Sequence, residues 1–260
     1  DWVGMLRRII GELMRHLGIR EEIPAQPDAL RTAFANWLHR AASLRRVVLI
    51  LDGLDRLEDR DGAPDLVWLP PAIPPRVRLI VSTLPGRALQ ALQRRGWPAL
   101  RVEPLRQEER RRLIAEYLAQ YTKTLSAPHV ERLAAAPQAA NPLYLRTLLD
   151  ELRVYGDHRT LAQRIDHYLA AATLDDLYQR VLARYEQDYE RERPGLVRDA
   201  MSLLWGARRG LTEAELLDLL ETPQACWSPL YLAAEAALVS RSGLLGFSHD
   251  GLRQAVRGRY

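Results

Sequence analysis

The chain has one cysteine, Cys226, and one lysine, Lys123, in 260 residues. A single cysteine excludes an internal disulfide, and it fits a reducing compartment. It also removes the commonest zinc-ligand sets, and His16, His39, His129, His158 and His167 show no metal spacing. With one lysine, the 37 basic residues comprise 36 arginines, a usage that coding bias explains as readily as function. No apolar run approaches the roughly 18 residues of a membrane helix. The first residues lack the basic-then-apolar order of a signal peptide. These absences lead us to expect a cytoplasmic protein without a membrane partner. A net charge of +4 is mild, so charge does not by itself argue for nucleic acid, and we do not expect it as a partner. Internal repeats and low-complexity tracts are absent too.

What is present is 47% hydrophobic content, enough for real cores in about two domains. The organising stretch is Arg46 to Asp55. Val47 to Leu51 is apolar and rich in β-branched side chains, which predicts a strand buried on both faces. It stops at Asp52, where parallel sheets place their ligands, and Gly53 lets the chain turn to present Asp55. A strand ending in paired acids has the form of a Walker B segment, in which one carboxylate holds Mg²⁺ and a second orients water. A core strand ending in a polar turn fits the same letters.

Before this strand, Asp1 caps a helix carrying Trp2, Leu6, Ile9, Ile10, Leu13 and Leu17 up to Gly18. Asp28 is the expected N-cap of a second helix with Leu30, Phe34, Trp37 and Leu38. After it come a charged loop and the proline cluster Pro70, Pro71, Pro74 and Pro75, a stiff connector. Val77 to Val81 reads as a second strand ending in Ser82-Thr83, followed by a helix near Arg87 to Arg95 and a third strand at Leu100 to Val102. That order predicts a parallel α/β sheet. From Gln107 onward the pattern is helical, with Thr212 and Glu215 forming a capping box. An amphipathic segment Tyr231 to Val239, a ribbon at Leu244 to Phe247 and a last helix from Asp250 suggest a small winged-helix unit.

Several segments together resemble the NACHT-type STAND NTPases, particularly telomerase-associated, nephrocystin-like and bacterial members. Val48-Leu49-Ile50-Leu51-Asp52-Gly53-Leu54-Asp55 is similar to their Walker B. Trp68-Leu69-Pro70 through Arg76-Val77-Arg78-Leu79-Ile80-Val81-Ser82-Thr83 resembles their sensor-1 strand and the helix before it. Asn141-Pro142-Leu143-Tyr144-Leu145 resembles the opening of a helix whose proline contacts adenine, and Phe247-Ser248-His249-Asp250 resembles the Met-His-Asp element whose histidine touches the β-phosphate of ADP. The resemblance implies an α/β region followed by mostly helix: a partial P-loop NTPase parallel sheet at residues 1–104, a helical subdomain at 105–192 and a winged helix at 193–260. It implies ATP or ADP with Mg²⁺ as cofactors. Asp52 would hold the metal, Asp55 would position water, and Ser82, Thr83, Pro142 and His249 would contact nucleotide. Implied partners are nucleotide, self-association in the activated state, and effector and sensor domains outside these residues.

Taken alone, Ser82 and Thr83 also read as caps of the next turn, Asn141-Pro142 as ordinary helix-start chemistry, and His249 as a structural histidine. The arginine-rich run Gln107 to Arg112 reads as a solvated helix face. The phosphate cradle Gly-x-x-x-x-Gly-Lys-Ser/Thr is absent from these residues. We expect it either upstream of Asp1 or lost in a non-hydrolysing relative, and we expect weak or no nucleotide binding by the 260 residues alone. Arg56 stands where a glutamate often follows the second acid, and Leu84 where the sensor strand often ends in arginine; both departures predict slow or absent turnover. Two rival readings are a DNA-binding regulator using Arg253, Arg257 and Arg259 on the last helix, and a non-catalytic helical adaptor.

Overall fold

The computed structural model describes residues 1–260, which fold as two compact units, Asp1–Arg101 and Val102–Tyr260.

The first unit begins with α1 (Trp2–Leu17), N-capped by Asp1, whose carboxylate accepts from the Gly4 N–H at 2.6 Å. Its 3.6-residue stripe Trp2, Leu6, Ile10 and Met14 is buried. Helix α2 (Pro27–Leu44) buries Leu30, Phe34, Trp37 and Leu38 as expected, but Gln26 is its N-cap and Asp28 lies inside the first turn. Pro27 presets a helical backbone at the first position, so the helix starts one residue before the expected cap. Strands β1 (Val47–Leu51) and β2 (Val77–Val81) pair in parallel, from Val47↔Val77 to Leu51↔Val81. Helix α3 (Arg87–Arg94) follows.

Two expectations fail in this unit. Strand β1 is not buried on both faces: Leu49 and Leu51 face the core with Val77, Leu79 and Val81, whereas Val48, Ile50 and Ile80 are 55%, 66% and 55% exposed. A continuous apolar run marks a parallel strand covered on two sides; here α1, α2 and α3 share one apolar cluster with the inward face alone. The strand expected at Leu100 to Val102 does not form, and both end residues stand about nine-tenths exposed. Strand-forming side chains make no strand without a ladder partner.

Between β1 and α3, Trp68 is buried and its indole donates to the Ala63 carbonyl at 3.2 Å. Arg95 donates to the carbonyls of Leu69 at 2.8 Å and Pro70 at 2.6 Å. This guanidinium fixes the proline-bearing connector, whose own donors are depleted.

The second unit contains α4 (Gln107–Ala119), α5 (Ala127–Ala135), α6 (Pro142–Val154), α7 (Leu161–Leu169), α8 (Leu174–Tyr189), α9 (Leu196–Gly206), α10 (Glu213–Leu220), α11 (Gln224–Ala234), β3 (Leu238–Arg241), β4 (Leu244–Phe247) and α12 (Asp250–Arg259). One apolar cluster runs from Ile114 on α4 to Val256 on α12. Thr173 with Asp176, and Thr212 with Glu215, form reciprocal capping boxes at α8 and α10. The expected helical segment Tyr231 to Val239 is displaced: α11 starts at Gln224, carries Pro229 inside it, and Val239 belongs to β3. Here tertiary packing of Trp227, Leu230 and Ala234 overrides the proline as a helix breaker.

The β3–β4 pair is antiparallel, and Leu211 adds a two-bond bridge to Leu245, with N···O distances of 3.1 and 2.7 Å. That close approach requires a glycine beforehand. Gly210 has φ +89°, and a Cβ there would sit 2.4 Å from the Leu245 carbonyl oxygen. No helix of either unit is long and apolar enough to cross a membrane.

Candidate functional site

In the first unit the residues expected at the site gather at the carboxyl ends of β1 and β2. Gly53, at φ +71°, turns the chain directly after Asp52. The Ser82 hydroxyl donates to Asp52 Oδ1 and accepts from the Gly53 N–H at 2.9 Å. Reciprocal main-chain bonds, Ser82 N–H to Leu51 O and Leu54 N–H to Ser82 O, both 3.0 Å, lock the two strand ends together. The exposed Asp52 carboxylate is thus oriented by a hydroxyl and keeps acceptor capacity toward solvent.

Asp55 and Thr83 sit differently. Asp55 Oδ1 accepts from the Leu84 N–H at 3.0 Å, while the Thr83 hydroxyl donates to the Leu84 carbonyl at 3.1 Å. Both therefore shape the loop after β2, and Ser82 alone of the hydroxyl pair touches Asp52. Arg87, close in sequence to the expected sensor position but out of register with it, is committed elsewhere. It donates to both oxygens of Asp59 at 2.8 Å and to Asp65. Its hydrogen bond, opposed only by slight desolvation, holds the Asp65 carboxyl below its ordinary range. Neither unit holds three or more histidine, cysteine or carboxylate side chains grouped as a protein-only metal cage. Asp52 and Ser82 suit a magnesium ion instead, since that ion takes one or two protein oxygens and completes its shell with phosphates and water.

The other two predicted residues lie in the second unit. Asn141 caps α6, accepting from Leu143 N–H at 2.9 Å and Tyr144 N–H at 3.3 Å, and this fixes Pro142 at the first helical position. His249 is the N-cap of α12 in an extended conformation, and its side chain makes no capping bond. It lines a small cleft of about 20 Å³ together with Leu143, Arg146, Thr147, Asp150 and Tyr178. Pro142 does not line this cleft; its neighbour Leu143 does. Burial, and then the nearby Arg146 charge, push the imidazole pKa down against the opposing Asp250 charge.

The floor of the cleft holds a group that the sequence reading missed. Glu151, with a 4% exposed side chain, receives two bonds from Arg184, one of them Nη2···Oε1 at 2.9 Å, and a third from the Tyr168 hydroxyl at 2.5 Å. The available signal was a carboxylate on the buried stripe of α6, between Leu148 and Leu152. The basic run at the start of α4 is neutralised locally. Arg106 pairs with Glu109, Arg111 with Glu131 at 2.7 Å, and Arg112 with Glu116 at 2.7 Å.

Residues 13–121 match the NACHT domain. A TPR repeat-containing protein of Dictyostelium discoideum is 34% identical over 226 residues, 85% of this chain and 14% of that protein. Telomerase protein component 1 of Mus musculus is 31% identical over 236 residues, 85% of this chain and 9% of that protein. NACHT domain- and WD repeat-containing protein 1 of Homo sapiens is 30% identical over 246 residues, 89% of this chain and 15% of that protein. The chain thus spans between 9% and 15% of the length of these relatives. Among solved structures, the Walker-type ATPase of Pyrococcus abyssi gives a weak likeness, with a TM-score of 0.41 at 11% identity over 97% of this chain and 78% of that one.

Proposed function

Residues 13–121 of this chain belong to the NACHT domain family, and from that premise we propose that the protein is a nucleotide-controlled switch of the STAND type. The observation that carries the reading is the Asp52–Ser82–Gly53 cluster at the open ends of two parallel strands. There Asp52 holds Mg²⁺, which supplies positive charge to the nucleotide phosphates. Ser82 keeps the carboxylate in its orientation, and Asp55 positions water from the adjoining turn. In the second unit, Pro142 and His249 form the part of the module that senses which nucleotide is present. A neutral imidazole donates one hydrogen bond to a diphosphate, and a contact made with ADP but not with ATP is what shifts a two-state balance.

Helices α9 to α11, with the β3–β4 hairpin and the Leu211 bridge, act as a winged-helix element whose release permits self-association and passes the signal to domains outside these residues. Hydrolysis is slow or absent, because Arg56 follows Asp55 and Arg87 is bound to Asp59 and Asp65. In the complete protein, Asp52→Ala and His249→Ala should each release ADP at least about tenfold faster, a loss of about 1.4 kcal/mol. Unchanged ADP retention in both variants overturns the switch.

The DNA-reader alternative is disfavoured by the same unit. Helix α11, which precedes the hairpin, has no basic residue. On α12, Arg259 is engaged by Glu186 with a 2.6 Å bond, while Leu252 and Val256 are buried.

A further inference from the structure

The second unit carries a cluster of exposed arginines in excess of the acids around it. Arg253 and Arg257 lie four residues apart on α12, so they share one face of that helix, and both are exposed. The Arg253 guanidinium stands 5.8 Å from the ring centroid of Trp205, on the last turn of α9, and that tryptophan is 38% exposed. Arg208 and Arg209 follow it within four residues and are exposed too. Their loop is held in place, because Leu211 exchanges both main-chain bonds with Leu245 and Gly210 packs against the Leu245 carbonyl. The acids of the neighbouring helices are taken by other arginines. Asp199 on α9 is paired with Arg193 and Arg198, both at 3.0 Å, and Glu186 on α8 with Arg259 at 2.6 Å. Asp250, three residues before Arg253, and Glu213, four after Arg209, are the acids nearest in the chain. Two carboxylates against four guanidinium groups leave this surface positive, with an aromatic ring among the charges.

We propose that the surface formed by Arg253, Arg257, Trp205, Arg208 and Arg209 is a docking site for an acidic peptide segment of a partner protein. A guanidinium presents paired N–H donors that match the two oxygens of a carboxylate, so successive aspartate and glutamate side chains find partners on α12 and on the loop after α9. Trp205 receives an apolar side chain of the peptide, and tryptophan with arginine is the pairing that most often carries the energy of an interface. Two observations favour a peptide over a nucleic acid. Arg253 lies over the Trp205 ring, whereas the bases of a single strand stack on open aromatic faces. Helix α11 brings no basic residue that could enter a groove of a duplex. The site lies wholly within the second unit and does not depend on nucleotide binding.

The test is the fluorescence anisotropy of a labelled peptide, Glu-Asp-Glu-Phe-Glu-Asp-Glu, titrated with the 260-residue chain at pH 7.5 and an ionic strength of about 0.1 M. Wild type should bind it, and Arg253→Gln/Arg257→Gln should weaken binding at least about tenfold. Arg7→Gln/Arg8→Gln, an equal charge loss at two exposed positions of α1, should change it by less than about twofold. Trp205→Ala, which alters no charge, should weaken it about threefold or more. The substituted arginines are exposed, so thermal unfolding matching wild type shows that a contact and not the fold was lost. Equal weakening by the two arginine pairs, unchanged binding in Trp205→Ala, or no binding by wild type up to about 1 mM overturns the docking site. A labelled oligothymidylate of the same charge is titrated in parallel. If it binds wild type more tightly than the peptide and loses that affinity in Arg253→Gln/Arg257→Gln, the surface is a nucleic-acid contact and the peptide assignment is overturned.

Discussion

Replacing Glu151 by alanine should destabilise the second unit more than any exposed charge substitution in the chain. Glu151 and Arg184 have side chains only 4% and 12% exposed. Removing the carboxylate leaves Arg184 with Asp188 at 3.0 Å, whose side chain is 43% exposed, as its remaining acidic partner, beside the rings of Tyr185 and Tyr189. It also leaves the hydroxyl of the buried Tyr168 without its acceptor. An uncompensated buried charge costs about 3–5 kcal/mol, and the stranded hydroxyl falls within that sum because it is part of the same network. We expect about 4 kcal/mol, which for a unit of this size lowers the melting temperature by roughly 8–16 °C. Urea and thermal unfolding followed by far-ultraviolet circular dichroism measure it directly. The double variant Glu151→Leu/Arg184→Met should recover most of the loss, since a buried ion pair gains little net free energy over apolar side chains of similar volume. A loss under about 1 kcal/mol in Glu151→Ala, the value of an exposed pair, would refute the burial argument. So would a double variant as unstable as the single one.

Three further outcomes follow from local geometry. Gly210→Ala must either leave a positive-φ backbone or push away the Leu245 carbonyl, 2.4 Å from the new Cβ; we expect a loss of about 2 kcal/mol or more, read as a lower urea midpoint. Asn141→Ala removes the acceptor for two N–H groups of α6 and should cost about 1 kcal/mol in the same assay. The Arg259 hydrogen bond, followed by that of Tyr260, holds the Glu186 carboxyl below its ordinary value. A depressed carboxylate contributes stability above its unfolded pKa, and that stability is lost as pH falls through the folded one. Arg259→Ala should therefore be less stable than wild type at pH 7 and converge with it in acid, below the ordinary glutamate range near pH 4; a gap that persists at pH 2 contradicts the pairing.

Much of the fold was legible because its signals are local. Asp1, Asn141 and Thr212 are caps whose acceptors lie within three residues of their donors, and β1 and β2 are apolar runs of five residues. The errors arose where the outcome depends on what lies opposite. The letters of Val48 and Ile50 do not say that one sheet face is bare, and those of Leu100 and Val102 do not say that no strand adjoins them. The helix expected from Tyr231 begins instead at Gln224, where the buried Trp227 and Leu230 anchor it despite Pro229. At the site, Asp52 and Ser82 were readable as strand ends. Which hydroxyl of Ser82-Thr83 meets Asp52 depends on pleat and register, because adjacent residues point to opposite faces. The Glu151–Arg184 pair joins residues 33 positions apart, beyond any periodic pattern.

The central claim is that a carboxylate at the tip of β1, held by Ser82, faces a metal-bound nucleotide. The most direct measurement is the affinity of the complete protein for a fluorescent ADP, with and without Mg²⁺, in wild type and Asp52→Asn. The account predicts tighter binding with Mg²⁺ in wild type and loss of that gain in Asp52→Asn. An equal magnesium effect in both proteins would contradict it.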